Sequence, residues 1–195
     1  MKKLIFVLLC SVLSLSAFSQ NDAMQFMGIS MNNSMENFVN ALEQKGFTKK
    51  SSTAIMVEMK GLFSTQEVML KIVKTPKSSK AAYVWVYFFM NSDLSYESLR
   101  DILTKKYSKK TLLGNEAVNK LLNQNHSEIL CWNSKNSTGE EIGQVLLMKN
   151  KAMTSAMYRG GSGVGPGQSN NVDNCLLYVD VKNLDAYYTE MEEDF

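Results

Sequence analysis

Apolar and polar residues alternate with period two through three consecutive stretches of this chain. Ile55, Val57 and Met59 alternate with Met56, Glu58 and Lys60. Val68, Leu70 and Ile72 alternate with Glu67, Met69, Lys71 and Val73. Ala82, Val84, Val86, Phe88 and Met90 alternate with Tyr83, Trp85, Tyr87 and Phe89. That period predicts three β-strands, each with one face toward a core. Gly61–Thr65 and Thr75–Ser79 carry turn residues, and links this short predict an antiparallel meander.

Helical spacing brackets the three strands. Met35, Phe38, Val39 and Leu42 fall on one face of a predicted helix over Met31–Gly46. Asn33 is its expected cap, with Glu36 three residues on, and Gly46 suits a left-handed stop. A second helix is predicted over Ser95–Tyr107, with Tyr96, Leu99, Ile102 and Leu103 as its stripe. Lys105 and Lys106 sit near its negative end. A weaker helical pattern covers Asn115–Leu122. Strand patterns then recur over Glu128–Ser134, Glu141–Met148, Ala152–Tyr158 and Asp173–Lys182, and a short helix is expected from Leu184. Runs of strands between helices predict an α+β fold, with helices packed on one face of an antiparallel sheet, rather than βαβ crossovers. The order reads as two tandem helix/sheet modules, 20–110 and 111–195, or as one continuous domain.

The first nineteen residues follow a different rule. Lys2 and Lys3 precede an apolar run from Leu4 to Leu15, and Ala17-Phe18-Ser19 places small residues just before Gln20. Charged, greasy, then small is the layout of a secretory signal peptide. The expected mature chain is therefore exported, to the periplasm or the extracellular space. The run is too short and serine-dotted for a membrane anchor, and Leu9 before Cys10 does not suit lipid attachment. No other stretch reads as a membrane span.

Loss of Lys2 and Lys3 with this leader leaves 19 basic and 19 acidic residues. A neutral balance argues against a nucleic-acid partner. Two cysteines remain, Cys131 and Cys175, both in strand patterns. In an exported chain an even count predicts a disulfide between them, the alternative being two buried thiols that fill space. The chain-entropy estimate for closing that loop is about 4 kcal/mol.

Candidate chemistry is sparse. The single histidine, His126, lies in a polar stretch with no nucleophile elbow beside it. One histidine and two distant cysteines do not make a zinc set. Glu58 and Glu67 share a predicted sheet face, which keeps a carboxylate-dependent hydrolase open as an alternative. The Gly160–Gly167 stretch lacks the Lys-Ser/Thr ending and the following helix of a phosphate loop, and reads as a hairpin connection. No catalytic, metal or cofactor-binding residue is predicted.

Phe26-Met27-Gly28-Ile29, the helix ending in Lys45-Gly46-Phe47, and the series Tyr96, Leu99, Leu103, Lys106-Tyr107 resemble a group of uncharacterised exported Bacteroidetes proteins. The resemblance implies a β-lactamase-inhibitor-protein-like fold of two small modules, each with helices on an antiparallel sheet. It carries no catalytic residues, and a shared fold does not transfer a function.

The most informative surface is the third strand. If Val84, Val86 and Phe88 face the helices, Tyr83, Trp85, Tyr87 and Phe89 face away, joined by Met56 and Met69. Aromatic and methionine side chains among mixed charges suit a contact surface. The expected function is non-catalytic binding of a protein or cell-envelope component through this face, the alternative being that the second module packs over it and makes it core. Homodimeric self-assembly through it is a further alternative.

Overall fold

The computed structural model describes residues 23–88, 95–107, 110–111, 116–122, 126–150 and 174–193. The expected leader, Phe89, Met90, the 152–158 strand pattern and the glycine-rich stretch lie outside the described residues.

The fold is α+β. A hairpin of β1 (Gln25–Phe26) and β2 (Ile29–Ser30) precedes α1 (Met35–Gln44). The meander follows as β3 (Thr48–Ser52), β4 (Met56–Phe63), β5 (Gln66–Lys74) and β6 (Ala81–Phe88). Then come α2 (Tyr96–Lys106), β7 (Lys110–Thr111), α3 (Glu116–Leu121), β8 (His126–Lys135), β9 (Glu141–Asn150), β10 (Asn174–Asp180) and α4 (Val181–Glu192). Eight strands form one antiparallel sheet in the order β3-β4-β5-β6-β10-β9-β8-β7. The two halves of the chain thus share one hydrogen-bonded ladder, joined where β10 pairs with β6.

β10 reads Asn-Cys-Leu-Leu-Tyr-Val-Asp, a nearly continuous apolar run, because both of its faces are covered. Cys175 through Asp180 are all buried. β3 is the opposite case. Its Thr-Lys-Lys-Ser-Ser sequence is exposed at every residue, and no alternation marks it as a strand. It exists because β4 offers a ladder for it.

Parity gives the sheet two different faces. On the first, Val57, Met59, Val68, Leu70, Ile72, Val84, Val86, Leu176, Tyr178, Val145, Leu147, Leu130 and Trp132 form a single core. Phe38, Val39 and Leu42 of α1 and Tyr96, Leu99 and Leu103 of α2 complete it. Phe26 of the hairpin stacks on Phe63 at 5.9 Å and meets Tyr178 edge-on at 5.0 Å. It thereby bridges two distant strands, and burying such a ring contributes about 1.5–3 kcal/mol.

α1 starts later than its sequence spacing predicts. Ser34, not Asn33, caps it, with Oγ accepting from the Asn37 N–H at 3.3 Å. Met31 is held outside the helix. Its N–H donates to the Met24 carbonyl, and its own carbonyl accepts from the Ala81 N–H and the Asn183 side chain. The stop is as expected. Gly46 has φ 90°, and the N–H groups of Gly46 and Phe47 donate to Glu43 and Leu42. That pair of bonds is a Schellman motif, in which glycine avoids the left-handed penalty.

α4 begins at Val181 rather than Leu184, because Asp180 caps it. The Asp180 carboxylate accepts from the Asn183 N–H at 2.9 Å and from the Met24 N–H at 3.0 Å. Asn183 in turn donates to the carbonyls of Met31 and Ala81 at 3.1 and 3.0 Å. Asp180 and Asn183 are only 2% and 5% exposed. Together they tie the N-terminal hairpin, β6 and α4 into one joint. Gly143 lets that joint close. A Cβ there would lie 2.5 Å from the Val179 carbonyl oxygen and 2.7 Å from Met24 Sδ.

Asp180→Ala strands two buried N–H donors and should lower stability by about 2–4 kcal/mol in urea unfolding. Burial raises the Asp180 pKa above the ordinary carboxylate value, against the opposing pull of the Asn183 and Met24 N–H groups and the Lys182 charge. A raised folded pKa means the unfolded chain releases this proton first. The Asp180 contribution is therefore full below about pH 4 and declines as pH rises through the folded value. Asp180→Asn, which does not titrate, should gain on the wild type between acid and neutral pH. A second prediction concerns the β4–β5 turn, where Ser64 and Thr65 have φ 48° and 70°. Two positive φ values are what a two-residue hairpin needs, and a β-branched residue suits them poorly. Thr65→Gly should raise stability by about 1 kcal/mol.

Candidate interaction surface

The second sheet face is built in cross-strand rows. One row runs Glu58, Lys71, Trp85, Leu177, Leu146, Cys131. The next runs Lys60, Met69, Tyr87, Cys175, Met148, Ile129. Each begins with charged or mixed residues on β4 and β5, passes through a half-buried aromatic on β6, and ends in apolar side chains on β10, β9 and β8. The face is graded, and β6 is the boundary.

Helices account for the gradient, and they lie on both faces of the sheet rather than on the one face expected. Val118 of α3 and Leu184 of α4 join Cys131, Leu146, Met148, Cys175, Leu177 and Val179 in a second core. Tyr187 and Tyr188 pack at its margin. Tyr187 meets Tyr83 edge-on at 6.0 Å, so α4 reaches the start of β6 and covers part of the aromatic row.

The expected parity of β6 holds. Val84 and Val86 are buried on the first face, while Tyr83, Trp85 and Tyr87 are half-buried on the second, together with Met56 and Met69. Tyr83 belongs to the α4 contact. Trp85 and Tyr87 stack at 5.8 Å with 13° between their planes, and Lys71 Nζ lies 5.5 Å from the Tyr87 ring centre. Phe89 lies outside the described residues. Burial raises the phenol pKa of Tyr83 and of Tyr87 well above the ordinary value, so both stay neutral hydrogen-bonding groups.

The β4–β5 part of the face is laced by ion pairs. Lys60 meets Glu67 at 2.8 Å and Lys71 meets Glu58 at 3.6 Å. Ser51 Oγ also donates to Glu58 at 2.8 Å. Glu58 and Glu67 do share a face, as expected, but each is engaged by a lysine. Leu62 continues the same parity and is 59% exposed. Sequence reasoning missed Leu62, although carrying the β4 alternation two residues further would have found it. It also missed Tyr187 and Tyr188, which only the extent of α4 brings in.

Cys131 and Cys175 share the second face but are not bridged to one another. β9 lies between their strands, and Cys131 stands one row away from Cys175. Two strand spacings of about 4.8 Å already exceed the Cα separation a disulfide spans. The expected bridge is corrected accordingly: alternation placed both cysteines in strands but could not give the strand order. Burial pushes the Cys175 thiol up to about 12. Among the described residues, no group of three His, Cys, Asp or Glu side chains is placed to hold a metal ion, and no helix is long and apolar enough to cross a membrane.

The fold and this surface define an α+β protein whose sheet is covered from β4 to β8 on one face and graded from covered to open on the other. Comparison with protein-family models, curated proteins and solved structures gave no match.

Alkylation tests the cysteine assignment. Cys131 and Cys175 should resist iodoacetamide in the native protein. Both should be modified after denaturation without reductant, read by mass spectrometry.

Proposed function

We propose that this protein is exported and acts by binding, using the β4–β6 part of the second sheet face to dock a protein or cell-envelope component. The observation that carries the reading is the gradient across that face. Where α3 and α4 cover it, the rows are apolar and sealed. From β6 outward, half-buried Trp85, Tyr87, Met56 and Met69 sit among lysine–glutamate pairs, with Leu62 exposed at the rim. A core face has no use for paired charges, and a purely solvated face has no use for stacked aromatics. Large amphipathic rings surrounded by polar residues suit contacts that must be stable both free and bound.

The ion pairs fit the same role. Exposed pairs contribute little to folding, roughly 0–1 kcal/mol each, but they fix charged groups in register for a complementary surface. The catalytic alternative has less to draw on. The two carboxylates on this face are paired with lysines and lie on an open sheet.

The test is capture from the native cell envelope with wild type and three variants. Lys71→Glu and Trp85→Ala should each weaken retention of the same partner by roughly tenfold or more. Arg100→Glu, on the exposed side of α2, should not. Trp85→Ala should cost about 2 kcal/mol of stability, below the range for a fully buried ring, as read from a melting curve. Equal capture by all variants would contradict the reading.

A further inference from the structure

β3 is the outermost strand of the sheet. It pairs with β4 on one side, and all five of its residues are exposed. Among the described residues, no strand pairs with its backbone groups directed away from β4, which therefore present an open ladder. Beside it, a cleft of about 450 Å³ opens on the first face. Glu36 and Glu43 of α1 stand on one wall, Lys49 and Ser52 of β3 on the other, and Val57 lies between them. The register explains the arrangement. Lys49 is opposite Met59 and Ser52 opposite Val57, and both partners belong to the first-face core. Lys49 and Ser52 therefore rise on the cleft side.

The geometry points to strand addition at this edge: β3 accepts an extended acidic segment of another protein, whose alternate side chains lie over the cleft beside α1. An open ladder next to a helix-walled cleft supplies both halves of that recognition mode. The main chain gives affinity, and the cleft selects alternate side chains.

The charges select the occupant. A second copy of this chain, paired antiparallel through Thr48–Ser52, would set Lys50 directly opposite Lys50, and a register one residue away would set Lys49 opposite Lys50; facing like charges are destabilising. Edge lysines and the irregular register between Lys49 and Ser51 also resist indiscriminate pairing. The same lysines favour carboxylates on an incoming strand. Glu36 and Glu43 occupy the far wall, so the carboxylates seat on the β3 side and leave the α1 side to neutral or basic groups. This surface is separate from the aromatic face, and either can fail without the other.

The test pans a displayed library of random peptides against the purified full chain. Enriched peptides should alternate Asp or Glu with β-branched residues. A synthetic copy of one should protect the Thr48–Ser52 amides from hydrogen exchange. It should lose at least tenfold in affinity when its alternate amides are N-methylated, and a similar amount against the Lys49→Glu/Lys50→Glu variant. Both lysines are exposed, so that variant should keep its Tm. The proposal is overturned by no enrichment over an unrelated chain, by binding indifferent to N-methylation and charge reversal, or by protection of other segments. A peptide-free, concentration-dependent dimer that protects β3 would also overturn it, by assigning the edge to a second copy.

Discussion

The pairing of β10 with β6 is the contact on which the rest of the structure depends. β10 is the last strand in the chain, yet it sits between β6 and β9 near the centre of the sheet. Until it docks, the β3–β6 meander and the β7–β9 group are separate sheets with exposed inner edges. Once it docks, its buried residues complete the cores on both faces at once. Asp180 follows directly at its end and pins the N-terminal hairpin while starting α4. One seven-residue strand therefore links the two ends of the chain. Contacts this distant in sequence carry a high closure cost and slow folding.

The same strand decides what the two faces become. On the first face, α1, α2 and the β1–β2 hairpin seal one continuous core from β4 to β8. On the second, α4 starts where β10 ends, so it folds back over β10, β9 and the near side of β6. Its twelve residues do not extend the cover across β4 and β5. The gradient on that face is thus a consequence of where α4 begins and how long it is. The side chains match this geometry: apolar beneath the helices, aromatic at the boundary, ion-paired beyond it.

Much of this was legible in the chain, because period-two alternation reports a strand with one buried face. β4, β5 and β6 follow from it, and so does the outward parity of Trp85 and Tyr87. What alternation cannot report is what lies over a face, so the covering of Tyr83 by Tyr187 was invisible. Strand order was hidden for a related reason. Cys131 and Cys175 were placed in strands, but only the long-range ladder shows β9 between them. β3 gave no signal because an edge strand of lysine and serine buries nothing. The start of α1 was misplaced because Met31, apolar and well spaced for a helix, is claimed by bonds to Met24, Ala81 and Asn183. In each case a tertiary contact overrode a local preference.

Native-state hydrogen exchange tests the central role of the β6–β10 ladder most directly. If that pairing holds the two halves together, the amides of Val84 and Val86, of Leu176 and Tyr178, and of Val145 and Leu147 should share one opening free energy, equal to that of global unfolding. Exchange of the β3–β6 amides at one free energy and of the β8–β9 amides at another would contradict the account, because the halves would then open independently across the β6–β10 seam.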